Sequence, residues 1–216
     1  DHDKRGVAAL RPYLPVDFCT KAAEYILENP GHVLITTGFY ILMPGSAETD
    51  GPPGALAIGN ALQSLGMRVT YVSDSYATPA LREIAGGDAE VIDFAVAEPE
   101  ESMRAGIWLL DQLDPDLLLS IERCSRSRDD TYLNMRSVDI SHQTARLDYL
   151  FESNIPSVGI GDGGNEIGMG NLAQIIPTFA SLPPNPAISK VDRLVVSSVS
   201  NWGGYGLVAA LSLLKG

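Results

Sequence analysis

Residues 99–123 read PEESMRAGIWLLDQLDPDLLLSIER and hold one passage from helix to strand. Met103, Ile107, Leu110 and Leu113 recur at helical spacing, so 99–113 is expected to be a helix. Residues 117–121 (LLLSI) are a short run of the kind buried inside a sheet, and Glu122 follows at once. The same alternation runs outward in both directions. Before this stretch, helices are expected over 17–29 (stopped by Pro30-Gly31), over 52–65 with prolines in the first turn, and from about Pro79. Strands are expected over 32–36, 68–73 and 90–94. After it, 124–141 is polar and arginine-rich without a period, and 143–152 looks helical. Residues 157–160 form a strand that enters a glycine-rich loop, and 166–179 begins the next helix. Residues 181–189 are a proline-rich surface loop, 193–198 the last strand and 205–214 the last helix.

Strands separated by helices predict an α/β fold: an open, mostly parallel sheet with helices on both faces, in three layers. No repeat, low-complexity tract or break in composition divides the chain, so one domain over 1–216 is expected. Apolar residues make up 45% and charged residues 19%, an ordinary balance for a chain that buries a core. No apolar run approaches the roughly 18 residues of a membrane span. The stretch DHDKRGVAAL has neither the apolar run of a signal peptide nor the acid-poor character of a transit peptide. With 27 acidic against 15 basic residues the net charge is -12, which repels nucleic acid and anionic membranes. Neither is expected as a partner; a small molecule is, and a homo-oligomer is left open. Cys19 and Cys124 are far apart with no CxxC spacing, which speaks against a disulfide scaffold or zinc knuckle. A cytoplasmic location fits this usage best.

In open parallel sheets ligands bind beyond the carboxyl ends of the strands. Those ends carry Thr36-Thr37-Gly38, Asp74, Glu122-Arg123, Asp162 and Ser200-Asn201. In the loop 161–166 (GDGGNE), glycines let the backbone come close to a ligand. Asp162 and Glu166 are oxygen ligands of the kind Mg²⁺ or Mn²⁺ prefers, and the helix expected after them would aim its amides at an anion. The plainer reading is a tight turn with Asp as N-cap. The loop matches neither GxGxxG nor GxxxxGK[ST], so no nucleotide cofactor is expected. In 48–54 (ETDGPPG), Asp50 either caps the helix starting near Pro52 or joins Glu48 in reaching a metal or an amine. In 122–130 (ERCSRSRDD), with Arg136 beyond, clustered arginines suit a carboxylate or phosphate; the alternative is a solvated loop. Glu122 at a buried strand end needs a partner. In 200–206 (SNWGGYG), Asn201 is placed to orient a substrate and Trp202 to wall a pocket, unless this is a glycine turn with a core tryptophan. His142 reads as a surface or cap residue, and His2 and His32 have no partner in sequence. A Ser-His-Asp triad has no GxSxG elbow to support it. Arginines beside Cys124 would lower its thiol pKa, but no base is placed for it.

Five stretches together resemble the D-glutamate cyclase family: ITTGF (35–39), ETDGPPGALAI (48–58), SIER (120–123), GIGDGGNEIGMGN (159–171) and VSNWGGYGL (199–207). The resemblance implies a carbon–oxygen lyase that turns D-glutamate into 5-oxo-D-proline with loss of water. This chain has Ser125 where the family has Gly, and Asp129-Asp130 where it has Asp-Gly. Animal members are mitochondrial. For such a reaction Asp50, Glu122, Asp162 and Glu166 are the expected catalytic and metal-binding set, holding Mg²⁺ or Mn²⁺ and supplying a base. Arg123 or Arg126 is expected to clamp the α-carboxylate, with Thr37, Asn165 and Asn201 completing the substrate side. A metal-dependent phosphohydrolase and a non-catalytic module that binds a small acid are the alternatives.

Overall fold

The computed structural model describes residues 3–216, and His2 lies outside them. Eight strands appear in chain order: β1 (His32–Thr37), β2 (Tyr40–Ile41), β3 (Ser46–Ala47), β4 (Arg68–Ser73), β5 (Glu90–Asp93), β6 (Leu117–Ile121), β7 (Ser157–Gly161) and β8 (Arg193–Val196). The five α-helices are α1 (Phe18–Glu28), α2 (Pro52–Ser64), α3 (Thr78–Ala85), α4 (Pro99–Leu113) and α5 (Ser200–Lys215). Six strands form one parallel sheet in the order β5-β4-β1-β6-β7-β8. The chain winds outward from β1 through β4 to β5, then returns to β6 and winds the other way. The reversal lies between β1 and β6, where Thr37 stands in register with Ile121. This is the switch point at which doubly wound sheets leave a crevice.

The sheet separates two cores, because successive residues of a strand point to opposite faces. Leu117, Leu119 and Ile121 of β6 pack with Ile26 of α1, Ile58 and Leu62 of α2, and Leu207 and Leu211 of α5. Leu118 faces the other layer, with Leu109 of α4 and the 3-10 segments carrying Val7, Leu10, Leu147 and Leu172. The expected three-layer α/β fold with helices on both faces is what the structure shows. Among the described residues, no helix is long and apolar enough to cross a membrane.

Three local expectations are corrected, and two local features are new. No α-helix forms over 166–179; only 3-10 turns appear, at Met169–Leu172 and Ile176–Thr178. The amides that would close the first turn donate elsewhere: Ile167 N–H to Arg123 O, and Gly168 and Gly170 N–H to Ser189 O. Helicity over 143–152 is likewise only 3-10, at Ser141–Gln143 and Leu147–Glu152. The apolar stripe of α4 divides: Met103 and Ile107 are 48% and 65% exposed, while Leu110 and Leu113 pack against the second core. Its inner face is built on small Ser102 and Gly106, and an added Cβ on Gly106 would lie 3.3 Å from Leu150. Finally, α5 begins at Ser200, and β2 and β3 form a short hairpin beyond β1 that periodicity did not reveal.

Candidate active site

The carboxyl ends of β6 and β7 each release an acidic residue into the switch-point crevice. Glu122 follows β6 with φ 47°, a left-handed conformation costly for a non-glycine residue, and Asp162 follows β7. Asp50 arrives from the turn before α2. Carboxylate oxygens of Asp50, Glu122 and Asp162 lie within 4.8 Å of one another. Glu122 is 3% exposed and Asp162 and Glu166 are each 1% exposed.

Reciprocal caps position Asp50. Its Oδ1 accepts the Asn201 amide at 2.7 Å and its Oδ2 accepts that of Ser200 at 3.0 Å, so it caps α5, not the helix that follows it in sequence. Asn201 Oδ1 in turn accepts the amides of Gly51 and Gly54 at 3.1 and 2.7 Å and caps α2. Both helix N-termini, with their partial positive charge, therefore meet at the acidic cluster. Gly51 has φ 100°, and a Cβ there would lie 2.8 Å from that of Glu122. The Ser200 hydroxyl donates to Glu122 Oε2. Glu166 organises the glycine loop: its carboxylate accepts the amides of Gly164 (2.7 Å) and Asp162 (3.3 Å). These oxygens take the anion's place at the loop amides, where the sequence had suggested a helix aimed at a ligand.

Among the described residues, one cation pairs with this group. The Arg5 guanidinium forms an ion pair with Asp162 and also feels the fields of Glu122, Glu166 and Glu48. Five carboxylates, counting Glu48, thus gather around one arginine. Burial, with repulsion from Asp50 and Glu166, raises the Glu48 carboxyl to about 7 despite Glu122 and Arg5. Burial and Glu166 push Asp162 up to about 9 against the opposing pull of Arg5. Burial, then Glu166, Asp162 and Glu48, holds Glu122 well above the usual carboxylate range. The cluster therefore retains protons that a bound cation would displace.

A cavity of about 360 Å³ opens on this group. Arg5, Glu48, Glu122 and Asn165 line it together with Phe39, Met135 and Arg136. Unsatisfied polarity gathers at this end of the sheet. Among the described residues, the buried side-chain atoms without a hydrogen-bond partner are Thr36 Oγ1, Thr37 Oγ1, Ser120 Oγ, Arg123 Nε, Asp162 Oδ2 and Asn165 Oδ1. Thr37, Asp162 and Asn165 are beside the cluster, whereas Thr36 and Ser120 lie on the opposite face of the sheet and Arg123 is turned toward Asp74.

The chain matches the family described as D-glutamate cyclase-like, C-terminal, over residues 1–216. It belongs to that family. Human mitochondrial D-glutamate cyclase is 34% identical over 211 residues, which cover 89% of this cyclase-like domain and 34% of the human protein. The chain therefore spans about a third of that relative's length. Among solved structures, Bordetella bronchiseptica WbmH in complex with NAD⁺ is similar at 15% identity and TM-score 0.38, covering 85% of this chain and 52% of that one. Ligand-free aldohexose dehydrogenase of Thermoplasma acidophilum is similar at 12% identity and TM-score 0.32, covering 62% and 50%.

The sequence-predicted residues of the cyclase-like domain thus divide. Asp50, Glu122, Asp162 and Glu166 come together, with Thr37 and Asn165 beside them. Asn201 is placed as a cap, with its Nδ2 on Thr49 O. Trp202 is 56% exposed and neither walls the cavity nor enters the core. Arg123 points away from the cluster, pairing with Asp74 at 2.6 Å and donating to the carbonyls of Gly38 and Ala145. Arg126 pairs with Asp148 and Glu152 and stacks over Tyr149. The Cys124 thiol is pushed well above its usual value, because burial outweighs Arg123. His142 is exposed, and His32 is held between Leu113 O and Thr70 Oγ1, each at 2.8 Å, near the amino ends of β1 and β4. Arg5 was missed. No local pattern marks it; only the unbalanced acid across the sheet calls for a cation there.

Proposed function

We propose that this domain cyclises D-glutamate to 5-oxo-D-proline with loss of water. Membership of the family supplies the reaction class. The observation that carries the reading is a buried group of carboxylates with one arginine, an unpartnered Asp162 oxygen, and an adjoining cavity. An amino acid with two carboxylates and one ammonium fits it: the ammonium suits Glu48 and Glu122, and Arg5 and Arg136 line the same cavity.

In the reaction the α-nitrogen bonds to the γ-carboxyl carbon, one carbon–oxygen bond breaks, and the two protons lost by nitrogen leave with that oxygen as water. Glu48 is suited to accept and return a proton, since a carboxyl raised to about 7 is divided between its two forms near neutral pH. Glu166 fixes the loop that holds Asp162. The cavity holds the chain folded, which removes much of the entropic barrier to ring closure. The oxygen-only donor set of Asp50, Glu122 and Asp162, the excess negative charge and the free Asp162 Oδ2 fit a divalent cation such as Mg²⁺ or Mn²⁺. Such an ion supplies Lewis acidity toward the γ-carboxyl. The phosphohydrolase reading drew on converging carboxylates with nearby arginines; with Arg123 and Arg126 held in internal ion pairs, only the carboxylates remain in its favour. The two unpaired cysteines suit a reducing compartment and keep the cytoplasm as the proposed location.

The test is incubation with D- and L-glutamate and measurement of 5-oxoproline, with EDTA-treated protein and with Mn²⁺ restored. Turnover of the D-isomer that EDTA removes and Mn²⁺ restores is expected. Full activity after EDTA would remove the ion from the scheme. A thermal shift with D-glutamate and no product would leave a binding module.

A further inference from the structure

Among the arginines of this end of the sheet, Arg5 is distinguished by its partner. Arg123, Arg126 and Arg146 pair with Asp74, Asp148, Glu152 and Asp130, none of which belongs to the acidic cluster. Arg5 pairs with Asp162, a member of the cluster, and also lines the cavity. Its contact is Asp162 Oδ1, beside the Oδ2 that no partner satisfies.

The chain around Arg5 is anchored on one side. Asp3 accepts the amides of Gly6 (2.8 Å), Val7 (3.2 Å) and Ala8 (2.7 Å), which caps the 3-10 helix Val7–Tyr13. Val7 and Leu10 bury that helix in the second core. Gly6 turns the chain with φ 85°, and an added Cβ would meet Ser181 Oγ at 2.5 Å. The Arg5 side chain is still 36% exposed, and its guanidinium is held by a single ion pair. Its head can leave Asp162 without disturbing the anchored helix. A guanidinium displaced by a stronger cation keeps a planar fork of donors that matches a carboxylate. The cavity it lines is where a substrate carboxylate would be.

We propose that Arg5 is an exchange clamp: it pairs with Asp162 through Oδ1 in the free protein, and turns to a substrate carboxylate when a divalent cation at the neighbouring Oδ2 supplies that positive charge. This rests on the reading that the cluster binds a divalent cation and an acidic amino acid. It gives one residue two effects of opposite sign. Removing Arg5 removes a competitor for the cation and a partner for the substrate.

Isothermal titration separates the two. Mn²⁺ is titrated alone, then D-glutamate is titrated at saturating Mn²⁺, into the wild type, Arg5→Ala and Arg5→Lys. Arg5→Ala is expected to bind Mn²⁺ about tenfold more tightly and D-glutamate about tenfold more weakly, the scale of one charged hydrogen-bonded contact. Arg5→Lys keeps the charge and loses the fork, so Mn²⁺ affinity stays close to wild type while D-glutamate affinity falls. Two affinities that move together, or Mn²⁺ affinity unchanged in Arg5→Ala, would overturn the clamp while leaving the site reading in place. A wild type that binds neither Mn²⁺ nor D-glutamate would overturn the site reading, and the clamp with it.

Discussion

Glu122 and Arg123 are neighbours in the chain, yet they belong to regions with opposite electrostatics. On one side, Arg123, Arg126 and Arg146 are each matched by a carboxylate. Arg123 and Asp74 form a pair that is 1% and 3% exposed, and Asp148 is met by Arg126 and by the Tyr132 hydroxyl. From Glu122 toward Asp50, Asp162 and Glu166, five carboxylates share one arginine. Arg123, Asp74 and Asp148 on one side and Glu122, Asp162 and Glu166 on the other are buried, and burying charge without compensation costs several kcal/mol per ion. The matched region meets that cost internally and holds loops to strands. The unmatched region meets it by retaining protons, which leaves it ready for a cation or an ammonium. Clustered arginines therefore marked architecture here, and clustered carboxylates marked the candidate site.

Substitutions test this division. Asp162→Asn should lower 5-oxoproline formation on the order of 10⁴-fold, with a melting temperature equal to or above that of the wild type. Asparagine has the shape and the neutrality of the carboxyl that Asp162 keeps protonated up to about 9, so a fall in both activity and stability would show that Asp162 is structural. Asp74→Ala should do the reverse in kind, destabilising the fold by about 3–5 kcal/mol in denaturant titration because Arg123 is left buried and alone. A loss below about 1 kcal/mol would show that the matched region is weaker than its burial suggests.

Acidity tests the unmatched side next. Glu48 and Asp162 have folded values of about 7 and about 9, above the 4.5 and 3.8 of the unfolded groups. The folded state thus holds more protons. The stability these groups contribute is fully present below the unfolded values and is lost as pH rises through about 7 and then about 9. Thermal melts should fall across that window, by about 1–3 kcal/mol in stability, and Mn²⁺ should restore part of the loss at its upper end. A flat profile would mean the cluster is better solvated than its burial implies.

The smallest effect belongs to the exposed rim of the matched region. Asp130 has φ 56° at the position where the family pattern has glycine. Asp130→Gly relieves about 1 kcal/mol of left-handed strain and loses half-exposed pairs with Arg126 and Arg146 worth about as little. A stability change within about 0.5 kcal/mol is expected by chemical denaturation, and a larger loss would extend the matched network to the surface.

The alternation of strand and helix, the apolar strands, and the placing of Glu122 and Asp162 just beyond β6 and β7 are legible in the order of residues alone. These are properties of spacing and of neighbouring residues, and a parallel sheet carries strand ends to one edge whatever the order of its strands. The remaining features depend on groups distant in the chain and emerge only on folding. Residues 166–179 form no α-helix because their amides find Arg123 and Ser189 carbonyls. The α4 helix buries Ser102 and Gly106, leaving Met103 outside, because close approach to Leu150 favours small residues. Asp50 and Asn201 cap each other's helices across 150 positions. Arg5 reaches Asp162 from the far end of the chain, because a buried excess of negative charge draws whatever cation the fold brings near it.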